Sequence, residues 1–164
     1  MTRRKRHAQD QSTSSILTLL KSCIKHKDLD KVIEIHSHVI ERGLLLDENC
    51  YVANALINLY AKCGELGKAK DVFDHLPHRN LVSWNSLISG YVQHGHPIEA
   101  FNCLDHMKHV GLSPDPVTFA CILKACGSIR AFDKGEEIHT YISKAKLLEK
   151  NIILCNALMD MYVK

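Results

Sequence analysis

The sequence has none of the short signatures by which metal-dependent and nucleophilic enzymes are recognised. Neither a Cys-x-x-Cys pair nor a His-x-Glu triplet occurs among its seven cysteines and eleven histidines, so the zinc deaminase signature is absent. No Ser-His-Asp set, carboxylate pair or phosphate-binding loop has a supporting sequence context. We therefore predict that the chain is not an enzyme and that it holds no metal or cofactor.

Long apolar runs are missing as well. No segment approaches the ~20 consecutive apolar residues of a membrane-spanning helix, and the start of the chain lacks the apolar core of a secretory signal. No stretch shows the strict alternation of apolar and polar residues that a half-buried strand requires. These absences predict an all-α protein without residence in a membrane.

The cysteines and histidines are better explained by packing than by chemistry. The odd number of cysteines argues against a disulfide framework, and Cys23 and Cys126 occupy equivalent positions of a repeated phrase. His36 and His38 stand two residues apart, a spacing that points side chains toward different faces of a helix. We expect free buried thiols and structural histidines.

An excess of basic charge is also absent from most of the chain. The formal net charge is +3, and Arg3-Arg4-Lys5-Arg6 contributes four positive charges, so the other residues sum to about −1. A general basic patch is therefore not the argument for a nucleic-acid partner. We interpret residues 1–12 as a basic disordered head, with phosphate contact and a targeting remnant as alternatives.

What the sequence does contain is a repeat. The phrase at 16–23 returns at 119–126, 103 residues later, and the phrase at 54–62 returns at 156–164 with an offset of 102. A looser third copy lies at 84–91. Self-similarity at a fixed interval is typical of an array of stacked repeats.

Each repeat divides into two helices joined by a tight turn. Apolar residues at a spacing of three and four predict a helix from Leu81 to His94, which Gly95 ends and after which Pro97 begins the returning helix. The same pattern predicts helices over 54–63 and 66–76. It thus predicts stacked helical hairpins along the chain.

Two aspartates are predicted to cap helices. Asp28 is expected to precede a helix that reaches Arg42 and stops at Gly43. Asp133 is expected to cap the corresponding helix of the later copy, which is predicted to run through Lys146.

The repeated phrases resemble the pentatricopeptide repeat family of plants, in particular its PLS subfamily of alternating standard, long and short repeats. The phrases at 54–64, 72–85 and 123–126, the last followed by the phrase at 135–139, are those that carry the resemblance. It implies an αα-hairpin repeat solenoid wound as a right-handed superhelix. The tetratricopeptide repeat is the nearest competitor, and Ala69-x₃-Phe73 with Pro77 matches part of its pattern.

By this resemblance the head, residues 1–12, is followed by four complete repeats and one partial repeat. They are a long repeat at 13–49, a short repeat at 50–80, a standard repeat at 81–115, a long repeat at 116–151 and a partial short repeat at 152–164.

The resemblance also implies which residues contact RNA. In the family the fifth and last residues of a repeat select the base, and the second residue helps to sandwich it. These positions are Asn85, Asp115 and Val82 in the standard repeat, a uracil-preferring combination. In the short repeat they are Asn54, Asn80 and Tyr51, which prefer cytosine and tolerate some uracil.

Other positions carry weaker expectations. Asn156 is the fifth residue of the partial repeat, whereas the long repeats have Leu17 and Ala120 there and accept any base. Lys62 and Lys164 are candidate phosphate contacts or solvated lysines. The alternative for the fifth-position asparagines is that they cap helices and satisfy free backbone N–H groups.

The resemblance implies binding of single-stranded RNA, with C or U followed by U in the middle. It places the protein in RNA processing in a mitochondrion or chloroplast, or as a specificity factor for C-to-U editing with editing-complex proteins or a deaminase supplied in trans. A protein-binding scaffold is the alternative function. Because the chain ends inside a helix, we also expect an incomplete portion of a longer protein.

Overall fold

The computed structural model describes residues 14–23, 28–43, 50–149 and 151–164. Within these ranges the chain forms helices and no strands, which confirms the all-α prediction. The helices are α1 (14–23), α2 (Leu29–Glu41), α3 (Tyr51–Lys62), α4 (Leu66–Asp74), α5 (Leu81–Gln93), α6 (Pro97–His109), α7 (Pro116–Ile129), α8 (Phe132–Lys144) and α9 (Ile152–Val163). The predicted head, residues 1–12, lies outside the described residues.

The chain divides into two compact units, and the division falls between Ser83 and Trp84, in the first turn of α5. In the first unit α3 packs against both α2 and α4. Its interior includes aliphatic side chains that are almost fully removed from water, among them Val32, Val39, Leu56, Ile57, Leu59 and Ala69. Burial of such side chains is the main source of helix stability in a hairpin array, because isolated helices of this length are marginal in water.

The second unit is organised around α7. This helix packs against α6, α8 and α9, and α8 also contacts α9. The buried side chains of the unit include Trp84, Leu104, Met107, Phe119 and Ile122. Gly127 lets α7 and α9 approach closely, since a Cβ atom there would lie 3.2 Å from the Cα atom of Met161.

The predicted turns are confirmed. Gly95 follows α5 with φ +77° and Gly64 follows α3 with φ +83°, values that a residue without Cβ adopts without strain. Pro97 is the first residue of α6, where its missing N–H leaves no helical hydrogen bond unmade.

The prediction for Asp28 is also confirmed, whereas that for Asp133 is wrong. The Asp28 side chain accepts a hydrogen bond from the backbone N–H of Lys31 at 3.1 Å, and α2 follows it. The corresponding cap position before α8 is Ala131, which makes no side-chain hydrogen bond, and Asp133 lies inside the first turn. The helix then ends at Lys144 rather than Lys146, whose φ of +55° is incompatible with a right-handed helix.

Helix α3 begins earlier than the sequence suggested. Its first residue is Tyr51, so Asn54 stands within the helix and not at its start. Helix α4 ends at Asp74, two residues before the predicted Leu76. Among the described helices, none combines the length and hydrophobicity needed to cross a membrane.

A pair of histidine and tyrosine side chains recurs in the two units. His36 of α2 and Tyr60 of α3 are hydrogen-bonded at 2.9 Å, and His139 of α8 and Tyr162 of α9 at 3.0 Å. In both pairs the rings meet edge to face. This contact between a second helix and the next first helix accounts for the recurrence of histidine at matched repeat positions.

Candidate functional site

The side chains of Asn85 and Asp115 are brought together in the second unit. Asn85 projects from α5, and its Nδ2 donates a hydrogen bond to Asp115 Oδ1 at 3.0 Å. Asp115 is the cap of α7, because the same Oδ1 accepts from the backbone N–H of Thr118 at 2.8 Å. The Thr118 hydroxyl oxygen accepts in turn from the backbone N–H of Asp115 at 3.2 Å, and this capping box fixes the carboxylate.

The Asp115 carboxylate is held in its charged form. Partial burial raises the pKa of Asp115, but hydrogen bonds from the backbone and hydroxyl of Thr118, the amide of Asn85 and the backbone of Val117 together outweigh it. The net effect places the pKa below its ordinary value, so the group only accepts hydrogen bonds at neutral pH. Since its Oδ1 is occupied by the cap, Oδ2 is the atom that remains for a ligand.

An equivalent pair lies in the first unit. Asn54 Nδ2 of α3 donates to Asn80 Oδ1 at 3.4 Å, and that oxygen also accepts from the backbone N–H of Ser83 at 3.0 Å. Asn80 thus caps α5 as Asp115 caps α7. Because its oxygen is occupied, Asn80 presents its Nδ2 donor where Asp115 presents an acceptor.

The two pairs differ in how completely they are hydrogen-bonded. Asn54 is 8% exposed, and its Oδ1 is buried with no hydrogen-bond partner within the described residues. Asn85 Oδ1 instead accepts a hydrogen bond from the Thr118 hydroxyl at 2.6 Å.

The alternative that the fifth-position asparagines cap helices is wrong. Asn54, Asn85 and Asn156 lie inside α3, α5 and α9, past the positions that a cap occupies. The cap position of α3 is Cys50, which makes no side-chain hydrogen bond of this kind, and α9 is capped by Asn151, which accepts from the backbone N–H of Leu154 at 3.0 Å.

The second-position residues are exposed, although they are apolar or aromatic. Tyr51 is 59% exposed, Val82 is 57% exposed and Ile153 is 70% exposed. Lys62 is exposed in the last turn of α3. Exposed apolar and aromatic side chains are surfaces on which a planar ligand can pack.

A cleft of about 540 Å³ lies in the second unit between α5, α7 and α9. It brings together the Asn156 and Ile153 side chains with Val117 and Ala120, which are the predicted fifth and second positions of consecutive repeats. Two lysines, Lys124 and Lys164, also line this cleft. Apolar walls with a few polar groups are typical of ligand sites.

Sequence reasoning missed Thr118 and Ser83. Both are fully buried, and each contacts the residue that caps its helix, Asn80 for Ser83 and Asp115 for Thr118. A hydroxyl residue three positions after an asparagine or aspartate, as in Asn80-x-x-Ser83 and Asp115-x-x-Thr118, is a signal of side-chain capping that could have identified them.

Two of the cysteines, Cys121 and Cys126, lack the features of reactive groups. Burial raises the pKa of Cys126 to about 11, with smaller effects from Lys134, its own backbone and Glu137. Burial also raises the pKa of Cys121, which lines the cleft. Both thiols are therefore protonated and weakly nucleophilic at neutral pH. Within the described part of the chain, no group of three or more metal-ligating side chains comes together.

Comparison with repeat-family models and solved structures agrees with this architecture. Models of the PPR repeat match residues 15–44 and 51–81, and a model of the PPR repeat family matches residues 79–128. The crystal structure of the pentatricopeptide repeat protein PPR10 from maize matches 90% of this chain and 21% of that chain, with a TM-score of 0.69 and 21% identity. PPR10 in complex with an 18-nt psaJ RNA element matches 90% of this chain and 27% of that chain, with a TM-score of 0.58 and 20% identity. These matches establish the fold as a helical repeat solenoid of the PPR type.

Several proteins of Arabidopsis thaliana are similar in sequence. Pentatricopeptide repeat-containing protein At2g13600 is 38% identical over 150 residues, which are 92% of this chain and 21% of that protein. The chloroplastic At1g11290 is 35% identical over 150 residues, 92% of this chain and 18% of that protein. The mitochondrial At1g06140 is 32% identical over 162 residues, 99% of this chain and 29% of that protein. The chain spans about a fifth of the length of the first relatives it matches. Repeated hairpins, matched repeat models and similar sequences lead to one conclusion: the chain belongs to the pentatricopeptide repeat family.

Proposed function

We propose that the chain binds single-stranded RNA, with one nucleotide facing each repeat and the Asn54–Asn80 and Asn85–Asp115 pairs selecting bases. The observation that carries this proposal is that the fifth and last residues of two consecutive repeats are joined by a hydrogen bond in each case. The RNA complex of PPR10, a protein with the same fold, supports the choice of ligand. The repeat boundaries at 50–80 and 81–115 are part of the proposal.

The Asn85–Asp115 pair suits uracil. Uracil has an N3–H donor between two carbonyl acceptors, and the free Oδ2 of Asp115 accepts from that N–H. The amide hydrogen of Asn85 that is not bonded to Asp115 donates to a neighbouring carbonyl. Cytosine instead turns the lone pair of its N3 toward the carboxylate, which is repulsive, so the pair disfavours it.

The Asn54–Asn80 pair suits cytosine. Because the Asn80 oxygen is occupied by the cap and by Asn54, the group that Asn80 offers is an amide donor, which matches the N3 acceptor of cytosine. Asn54 is held at its nitrogen alone, because its Oδ1 has no hydrogen-bond partner among the described residues, and we therefore expect some uracil to be accepted as well. This pair is therefore the less selective of the two.

The exposed second-position residues supply contact area for the base faces. Tyr51 can stack on a base and Val82 can pack against one, and stacking is worth about 1–3 kcal/mol per base. Lys62 is the last residue of α3, and Lys164 directly follows α9 on the cleft wall, and both can neutralise phosphates. Asn156 supplies the fifth-position amide of the partial repeat.

The wider role of the protein is part of the same proposal. Relatives named chloroplastic and mitochondrial support an organellar location, where we propose that the chain acts in RNA processing or as a specificity factor for C-to-U editing. Membership of the PLS subfamily, with its long repeats that accept any base, belongs to this proposal. A deaminase or other editing-complex proteins would then act in trans.

Fluorescence anisotropy tests the proposal. The purified chain is titrated with short RNAs that carry a central C-U or a central G-A step, at two salt concentrations. We expect tighter binding to C-U, a preference that Asn85→Ala abolishes, and a loss of affinity with salt because phosphate contacts release counterions. Asn102→Ala, on the exposed face of α6, serves as the control and should leave the preference unchanged. Equal binding to both RNAs contradicts the proposal.

A protein-binding scaffold is the second candidate function. The observation in its favour is that α9 exposes a series of apolar side chains, among them Ile152, Met159 and Val163. Copurification of a stable protein partner that ribonuclease does not release would favour the scaffold over RNA binding.

A further inference from the structure

The hydroxyl group of Thr118 controls the orientation of the Asn85 amide. Thr118 Oγ1 lies 2.6 Å from Asn85 Oδ1 and 2.8 Å from Asp115 Oδ1. Asp115 Oδ1 already accepts from Asn85 Nδ2 and from the backbone N–H of Thr118. The Thr118 hydroxyl has one hydrogen, and it donates that hydrogen to the nearer acceptor, Asn85 Oδ1. The Asn85 amide is thereby held with its oxygen toward Thr118 and its nitrogen toward Asp115.

Ser83 lies three residues after Asn80, as Thr118 lies three residues after Asp115, but its hydroxyl has a different acceptor. It is as fully buried as Thr118, yet its hydroxyl donates to the backbone oxygen of Asn80 at 2.7 Å, with Asn80 Oδ1 farther away at 3.4 Å. Asn54 Oδ1 is left with no hydrogen-bond partner among the described residues. The amide of Asn54 is therefore held at its nitrogen alone.

The residue at the position of Ser83 and Thr118 varies with the fifth residue of the preceding proposed repeat. In the proposed repeats the position is the third residue of the next repeat, and a hydroxyl residue stands there after the repeats with Asn54 and Asn85. After the repeats with Leu17 and Ala120, which have no side-chain amide, the position is an aliphatic residue that is fully buried. These aliphatic residues are Val52 and Leu154.

We propose that Thr118 is a positioning residue that sets the selectivity of the Asn85–Asp115 pair for uracil, an inference that rests on the proposed function. Because the Asn85 oxygen is hydrogen-bonded to Thr118, Asn85 presents only an amide hydrogen to a ligand. Asp115 presents an acceptor, Oδ2, next to it. Without the hydroxyl, the hydrogen bond to Asp115 still holds the amide nitrogen, but the Asn85 oxygen loses its donor. That oxygen then becomes available to the amino group of cytosine, and the pair discriminates less.

The test compares two pentaribonucleotides that differ only in the base facing Asn85, uracil or cytosine, by titration monitored with NMR, which reports weak binding. In the full chain, Thr118→Val removes the hydroxyl and keeps the side-chain shape. We expect the ratio of the two dissociation constants to fall about three- to tenfold, the effect of one hydrogen bond. Ser128→Ala removes an exposed hydroxyl from the same helix and should leave the ratio unchanged.

A second pair of variants keeps the test decisive if Thr118→Val does not fold. Thr118→Ser and Thr118→Ala differ from each other only in the hydroxyl, and the serine variant should retain more of the uracil preference. A ratio that is unchanged in the valine or alanine variant, even with weaker binding to both RNAs, overturns the inference and leaves the proposed function standing. A wild-type chain with no base preference overturns the proposed function, and the inference falls with it.

Discussion

Asn85 and Asp115, thirty residues apart in sequence, share a hydrogen bond of 3.0 Å because one stands within α5 and the other caps α7. Asp115 thus has two roles. Its Oδ1 satisfies the free backbone N–H of Thr118, and its Oδ2 is left for a ligand. The same arrangement holds for Asn54 and Asn80. Base selection in this account is therefore built upon helix capping.

The first prediction concerns Asp115→Asn. Asparagine caps helices about as well as aspartate, so the free energy of unfolding should change by less than about 1 kcal/mol. The outward atom changes from an acceptor to a donor, and we therefore expect the preferred base opposite this repeat to change from uracil to cytosine. Competition binding with RNAs that differ at that base measures the change.

The stability of this variant also has an expected pH dependence. The pKa of Asp115 lies below its ordinary value when the chain is folded, so its stabilising effect is present above the unfolded pKa and is lost as the pH falls through the folded pKa. Asp115→Asn should remove this part of the acid sensitivity in urea unfolding curves. An unchanged base preference, with normal folding, would contradict the assignment of Asp115.

The second prediction compares two aspartates that stand at the start of matched helices. Asp28 caps α2, so Asp28→Ala should lower the free energy of unfolding by about 1 kcal/mol. Asp133 does not cap α8, and Asp133→Ala should cost less. Ala131→Asp places a capping group at the right position and should stabilise the chain.

Chemical denaturation of these three variants measures the effects. A larger loss for Asp133→Ala than for Asp28→Ala would show that α8 begins at a different residue from the one described.

The third prediction concerns the histidine–tyrosine pairs. Tyr60 is 1% exposed and hydrogen-bonded to His36, so Tyr60→Phe should lower the free energy of unfolding by about 0.5–1.5 kcal/mol. The matched change Tyr162→Phe should cost less, because Tyr162 is 45% exposed and water can replace the hydroxyl contact. Thermal unfolding monitored by circular dichroism compares the two.

The first of these pairs should also make stability depend on pH. Burial, with a smaller effect of the His75 charge, holds the pKa of His36 below its ordinary value. The stabilising effect of neutral His36 is therefore present above the unfolded pKa of about 6.5 and is lost as the pH falls through the folded pKa. In His36→Gln the free energy of unfolding should vary less with pH in this range. An identical pH profile for the variant would refute the role of His36 in this pH dependence.

The fourth prediction uses two helical glycines. A Cβ at Gly127 would lie 3.2 Å from the backbone of Met161, so Gly127→Ala should push α7 and α9 apart and destabilise the chain by about 1–3 kcal/mol. No atom lies within 4 Å of a Cβ built at Gly67 in α4. Gly67→Ala should therefore stabilise the chain by about 0.5–1 kcal/mol. We expect the two substitutions to change the free energy of unfolding, measured with urea, in opposite directions. Destabilisation by both would contradict the packing described for α4.

The helices and their turns were predictable from local sequence, because glycine and proline mark ends that depend on a single residue's backbone freedom. Gly95 and Pro97 lie where the pattern placed them. The cap of α8 was mispredicted because an aspartate stands two residues inside the helix, while the true cap position holds Ala131. Local sequence favours the nearest good cap and cannot show where the preceding helix positions the chain.

The site was predictable in part. Resemblance to the family supplied the fifth and last positions, but the hydrogen bond between Thr118 and Asn85 joins residues 33 positions apart, and no local pattern reveals such a contact. The occupancy of Asn80 Oδ1 by the cap likewise depends on packing of α3 against the start of α5 within the first unit.

The most direct test of the central claim is an NMR titration that follows the side-chain amide signals of the asparagines as a C-U pentaribonucleotide is added. We expect the amide signals of Asn54 and Asn85 to shift with saturating behaviour, whereas the exposed amide of Asn102 on α6 should not shift. A G-A pentaribonucleotide should produce smaller shifts. Shifts confined to lysine-bearing surfaces, or equal shifts at Asn102, would contradict base selection by the Asn54–Asn80 and Asn85–Asp115 pairs.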